Sequence, residues 1–217
     1  MKKSDLRGAD AEVLQILALQ SGDPARVRRV LKGGGPLTPA VVPHLIPLLA
    51  SEKTAFDAMQ ALRGVALHRS GVLIDALLDV RHSAVMRRRI ARVMSDCRAP
   101  SVVEALLQAC EDDHVSVRVQ CARTLFVIRR RSDLVIDASR VIQLIKQEIN
   151  YGIPHVGLLF TLLAMIFPAG PIRAAHRSLR AGNAHAKGLA HEYLDSVLPA
   201  EIRQHVNQIL ARVQSSS

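Results

Sequence analysis

With 217 residues, 49% of them apolar and 22% charged, the chain has enough material for a packed interior along its whole length and lies far from a disordered composition. A formal net charge of +10 makes it attractive to nucleic acid, anionic headgroups or acidic protein in a salt-dependent way, without bearing on fold. Aromatic residues amount to 3% and Trp is absent, which argues against base-stacking platforms and aromatic cages.

The opening residues, Met1 to Asp10, mix charges with small residues and contain no apolar run, so no secretory leader is expected there. Asp10 reads as the N-cap of a helix over 10–20, and Pro24 opens a short helix over 24–32 that Gly33-Gly34-Gly35-Pro36 ends. Residues 1–36 are thus expected to form a capping pair, 37–199 an array of helix pairs, and 200–217 a closing helix with a frayed tail. Within the array the pairs are 39–50 with 53–67, 72–79 with 83–95, 101–111 with 115–130, 138–150 with 157–166, and 173–180 with 185–197. A last helix follows over 201–213. In the first three pairs of the array the first helix is expected to be the shorter, as in alternating outer and inner layers.

The segment from His155 to Phe167, bracketed by Pro154 and Pro168, is almost uncharged. Its helical length of about 20 Å falls short of the roughly 30 Å hydrocarbon core, which favours a buried central helix over a membrane span. Pro154 and Gly157 occupy the hinge of this pair where other pairs carry a basic residue.

Register supports a repeat. Met86-Arg87, Ile90-Ala91-Arg92 and Met94 lie 31 residues before Val117-Arg118, Cys121-Ala122-Arg123 and Leu125. A further 69 residues on stand Ala186-Lys187, Ala190 and Leu194. Expected core positions include Leu45, Leu49, Leu77, Ile90, Leu106, Ala122, Leu125, Leu159, Leu163 and Leu194.

Paired helices joined by a turn such as Glu111-Asp112-Asp113-His114-Val115-Ser116-Val117-Arg118, with Ala122 and Leu125 following, resemble HEAT repeats, including bacterial HEAT-like units associated with scaffolds and lyases. The resemblance runs over about 39–197 and is most specific in the pair ending near Arg130. It implies an all-α, right-handed α-α superhelix of about six helix pairs. It also implies that the hinge residues Arg87, Arg118 and Lys187, with the turn carboxylates Asp112 and Asp113, form an Asp–Arg ladder that orders successive turns. Exposed pairs of this kind contribute only about 0–1 kcal/mol each. The segment from Ala190 to Pro199 is similar to the ends of HEAT domains attached to larger bacterial proteins, so the chain is also read as a module of a multidomain protein.

Arg88, Arg92, Arg123 and Arg130 exceed what turn geometry needs. Arg88 and Arg92 lie four apart on one helix face, and Arg92 and Arg123 are equivalent positions, so stacking would align them into a basic strip. A solvated face accounts for them equally well. Arg26, Arg28, Arg29 and Lys32 form a second basic cluster, and Arg173, Arg177 and Arg180 a third.

Catalytic signatures are weak. His191-Glu192 lacks the second His of a zinc-protease helix, His82, His114, His176 and His185 have no accompanying ligand cluster, and the glycine run is no phosphate loop. Cys97, Cys110 and Cys121 are odd in number without Cys-x-x-Cys spacing, which fits a reducing, cytoplasmic setting and core packing. HEAT-like alkylpurine DNA glycosylases are similar in architecture but use Trp-lined walls, and here only Asp75, Asp79 or Asp113 would supply a carboxylate. The expectation is therefore a non-enzymatic scaffold, without cofactor, metal or membrane segment, whose concave face takes an acidic or amphipathic protein segment. Sequence-nonspecific nucleic-acid binding through the Arg strip is the alternative.

Overall fold

A computed structural model describes residues 3–148, 150–151, 155–180 and 184–215. All regular structure among the described residues is helical. The chain forms two compact units, Met1–Ala105 and Leu106–Ser217, with the division inside one helix.

In the first unit, α1 (Lys3–Leu19) and α2 (Pro24–Lys32) meet at a turn in which Gly22 takes φ +72° and the Asp23 side chain accepts a hydrogen bond from the Ala25 amide at 2.9 Å. Asp10 is not the cap expected from the sequence. It lies inside α1, because nothing between Lys3 and Ala9 except Gly8 opposes extending the helix upstream. The helix expected over 39–50 is also corrected, to two 3-10 turns, Val42–Leu45 and Pro47–Ala50. Pro43 and Pro47 each lack an amide hydrogen, so the i to i−4 ladder loses two donors within one turn and the backbone tightens.

Ser51 caps α3 (Glu52–Val65), accepting from the Lys53 amide at 3.3 Å; α4 (Ser70–Leu78) and α5 (Ala84–Val93) then pack as a pair. Arg89 of α5 is buried and donates to the Leu49 carbonyl and to Glu52, tying α5 to the second 3-10 turn.

The helix containing the division is α6 (Pro100–Ala109). The second unit continues with α7 (Val115–Arg131), α8 (Ala138–Glu148), α9 (Val156–Ile166), α10 (Ala169–Arg180), α11 (Ala184–Val197) and α12 (Ala200–Ser215). Its centre is α9, which packs against α7, α8, α10 and α12. A helix surrounded in this way must be apolar on every side, and seven consecutive or near-consecutive residues from Leu158 to Met165 are accordingly buried. At 11 residues it is about 16 Å long, and no described helix is long and apolar enough to cross a membrane.

Stacking is not strictly sequential at this end, because α12 turns back onto α8 and α9, where Glu201 pairs with Lys146. α4, at 9 residues, is shorter than α5, at 10, and α6, at 10, is shorter than α7, at 17, as expected; elsewhere α1 is longer than α2 and α8 equals α9, so this alternation does not run the length of the chain.

All ten expected core positions are buried, at no more than 1% exposure. The 31-residue register is physical as well: Met86, Ile90, Ala91 and Met94 are buried like Val117, Cys121, Ala122 and Leu125, while Arg92 and Arg123 are both exposed.

Candidate functional site

The hinge arginines act on the backbone. Arg87 Nε donates to the carbonyl of His82 at 3.2 Å, and Arg118 Nη1 donates to the carbonyls of Asp113 at 3.1 Å and Asp112 at 2.9 Å. Both side chains are buried and both reach the carbonyl five residues earlier, closing the turn before their own helix. The corresponding carbonyl for Lys187 belongs to Gly182, outside the described residues, as does Pro154 of the expected hinge.

In place of an exposed pairing with the turn carboxylates, the carboxylate partner of Arg118 is Glu148, at 3.1 Å from Nε and 3.3 Å from Nη2, with the two side chains each 2% exposed. The Asp112 carboxylate instead accepts from the His114 amide at 2.8 Å. Tyr151 lays its ring 3.5 Å from the Arg118 guanidinium and donates its hydroxyl to the Glu111 carbonyl. Glu148 also accepts from the His155 amide at 2.9 Å, and His155 Nδ1 in turn accepts from the Leu158 amide at 3.1 Å. The buried pair thus anchors the N-terminus of α9.

That terminus borders an open cleft of about 1020 Å³ within the second unit. Three helices present an i, i+3 and i+7 set to it. α7 contributes Arg123, Phe126 and Arg130, with Val127 between; α9 contributes Gly157, Phe160 and Ala164, with Thr161; α10 contributes Arg173, His176 and Arg180, with Leu179. His155 and Val156 at the start of α9, Lys187 from α11 and Leu210 from α12 complete the lining. Because α9 packs between α7 and α10, it forms the floor and they form the walls.

Electrostatically the cleft is one-sided. Five cationic side chains line it and no described carboxylate does; among the described residues none of the five forms an ion pair. A space of that volume is about 10 Å across, close to the Debye length of about 8 Å at physiological salt, so the charges act on a ligand together.

The His176 imidazole stacks on the Phe160 ring, centroids 4.7 Å apart and planes within 9°. Burial, then Arg180 and His155, push its pKa below the ordinary imidazole value. Below about pH 6.5 the unfolded chain takes up a proton that folded His176 resists, so this group's stabilising contribution is present above that pH and is lost on acidification. An anion in the cleft reverses the local field. The imidazole resonances of His176 are therefore expected to titrate at a higher pH when an acidic peptide is bound than in the free protein, by NMR titration; an unchanged or lowered midpoint contradicts an anion beside them.

The four arginines expected in a strip divide between the units. Arg123 and Arg130 share the cleft, whereas Arg88 and Arg92 lie on the exposed side of α5 in the first unit. Arg173 and Arg180, read from the sequence as a separate cluster, join Arg123 and Arg130; Arg28 of the N-terminal cluster pairs with Asp57 at 3.1 Å.

Burial raises the Cys97 thiol to about 11, with Asp96 adding to it, and burial raises the Cys110 thiol further still. Hydrogen bonds from Arg81 lower Asp79 to about 2.

Searches against family models, curated proteins and solved structures found no match to this chain.

Proposed function

We propose that the chain is a non-catalytic binding module of stacked helical hairpins, built as HEAT-like arrays are, that receives an acidic polypeptide segment in the cleft between α7 and α10. The observation that carries this reading is the set of five cations lining the cleft with no carboxylate among its described lining residues. Like charges gathered without counter-charge repel one another, and an anionic occupant relieves that repulsion. Phe126 and Val127 of α7 and Leu179 of α10, all partly exposed, add non-polar contact that a bare phosphate backbone does not use.

Fluorescence anisotropy with a labelled Glu-rich 16-residue peptide, a matched peptide with Gln for Glu, and random duplex DNA tests it. The Glu peptide is expected to bind and to weaken between 50 and 300 mM salt, with the Gln peptide at least about tenfold weaker, a difference of about 1.4 kcal/mol. Equal binding of the two peptides contradicts the reading. The exposure of Arg88, Arg92, Arg123 and Arg130 favours a second reading, phosphate contacts to nucleic acid. Duplex DNA that binds more tightly than the Glu peptide, steeply salt-dependent and without sequence preference, supports that alternative.

A further inference from the structure

Resting on the acidic-segment reading, we infer that the cleft is a proton-linked site: His176 takes up a proton as an acidic segment enters, so the segment is held more tightly as the pH falls through the imidazole range. The position of the ring is the first ground. His176 lies flat on Phe160, which is 2% exposed, while the imidazole itself is half-buried, so what an occupant meets at this level is the imidazole and not the phenyl ring. A Cβ built at Gly157 would lie 3.0 Å from His155 Cε1 and 4.0 Å from His176 Cε1, so the two imidazoles converge over that glycine.

Of these two rings, one can change its charge without losing a bond. His155 Nδ1 accepts from the Leu158 amide at 3.1 Å, which requires that nitrogen to carry no proton, and protonating it would undo the cap of α9. For His176, among the described residues, no group hydrogen-bonds either ring nitrogen. A proton added there breaks nothing and places a sixth positive charge on the cleft.

The charged surroundings are the second ground. On α10 itself Arg173 and Arg180 line the cleft with His176, and Arg177 is exposed outside it. From α9 comes His155 alone; from α11 comes Lys187, while His185, His191, Glu192, Tyr193 and Asp195 of that helix lie outside the lining; α7 faces the ring across the cleft with Arg123 and Arg130, and α12 adds only Leu210. Burial, then Arg180 and His155, hold the imidazole below its ordinary pKa in the free protein. Carboxylates brought into this field favour the imidazolium, and a ligand that raises proton affinity is itself bound more tightly by the protonated form. Glutamates, with an ordinary pKa of about 4.3, keep their charge down to about pH 5.5, so between there and about pH 7.5 the imidazole sets the response.

The test uses the full chain and the labelled Glu-rich 16-residue peptide, with affinities measured by fluorescence anisotropy at pH 7.5 and pH 5.5 and equal ionic strength. The wild type is expected to bind at least about threefold more tightly at the lower pH. His176→Phe, which keeps a flat ring on Phe160 and takes no proton, is expected to lose most of that ratio, whereas His68→Gln, at an exposed histidine of the first unit, retains it. A wild-type ratio of one or less, an undiminished ratio in His176→Phe, or an equal loss in His68→Gln overturns the proton link while leaving the acidic-segment reading in force. Failure to bind at either pH overturns both. A threefold gain through one group requires its midpoint to rise by at least about half a pH unit on binding. The His176 imidazole resonances of the wild type, titrated with and without saturating peptide, therefore give the answer even where the Phe variant does not fold, and a smaller rise overturns the link.

Discussion

Replacing Glu148 with Ala is expected to cost about 3–5 kcal/mol of unfolding free energy, the range for breaking one side of a buried ion pair. Glu148 and Arg118 are almost fully enclosed, so the orphaned guanidinium cannot turn to water. Arg118 Nη1 would keep the carbonyls of Asp112 and Asp113, but Nε and Nη2 would lose their acceptors, and the His155 amide would lose its acceptor at the start of α9. The double variant Arg118→Met with Glu148→Met removes both charges and leaves those two carbonyls without their donor and the His155 amide without its acceptor, costing about 1–3 kcal/mol, less than the sum of the single changes. Urea denaturation of the wild type, Glu148→Ala, Arg118→Met, Glu148→Met and the double variant, read at constant m, separates these outcomes. A Glu148→Ala cost below about 1 kcal/mol would mean that water reaches the pair in solution, and the anchoring of α9 through it would be wrong.

The second large effect concerns binding. Arg123→Glu combined with Arg173→Glu is expected to weaken the acidic peptide by roughly 30-fold or more. Each exposed pair lost removes about 0.2–1 kcal/mol, and the introduced carboxylate adds repulsion of similar size, so two sites together reach about 2 kcal/mol. Both residues are exposed and unpaired among the described residues, so stability should change little. Arg88→Glu with Arg92→Glu is the matched control: the same change in net charge, in the other unit. It is expected to alter affinity less than about threefold at 150 mM salt, since screening confines each charge to its own neighbourhood. Equal losses from the two double variants would assign the attraction to overall charge and not to the cleft.

Much of the helical order was legible in the residues because periodicity and breakers are local. Pro24 and the glycine run bound α2 where they were expected to, and the match of Met86-Arg87 to Val117-Arg118 identified two positions with the same burial and the same backbone contact. The errors arose where a local rule met a second one. Apolar residues over 39–50 predict a helix, but Pro43 and Pro47 four apart withdraw two donors and leave 3-10 turns. Asp10 has the chemistry of a cap without a preceding breaker.

The site was less legible, for a different reason. Glu148 lies 30 residues from Arg118, and no local pattern links a carboxylate at the end of one helix with an arginine at the start of another. The turn acids Asp112 and Asp113 were nearer in sequence, and what Arg118 takes from them is their carbonyls. A signal for the cleft did exist: two helices each carrying arginines seven apart, flanking an uncharged helix with Gly157, Thr161 and Ala164 on one face. Reading Arg123 and Arg130 as one strip and Arg173 and Arg180 as another obscured it, because which helices share α9 as a neighbour is a tertiary fact.

The most direct measurement is a titration of the ¹⁵N-labelled full chain with the Glu-rich peptide, followed by backbone amide shifts. Perturbations are expected to concentrate at 123–130, 157–164, 173–180 and Lys187. Shifts centred instead on 84–93, or spread evenly over both units, would contradict the cleft as the binding site.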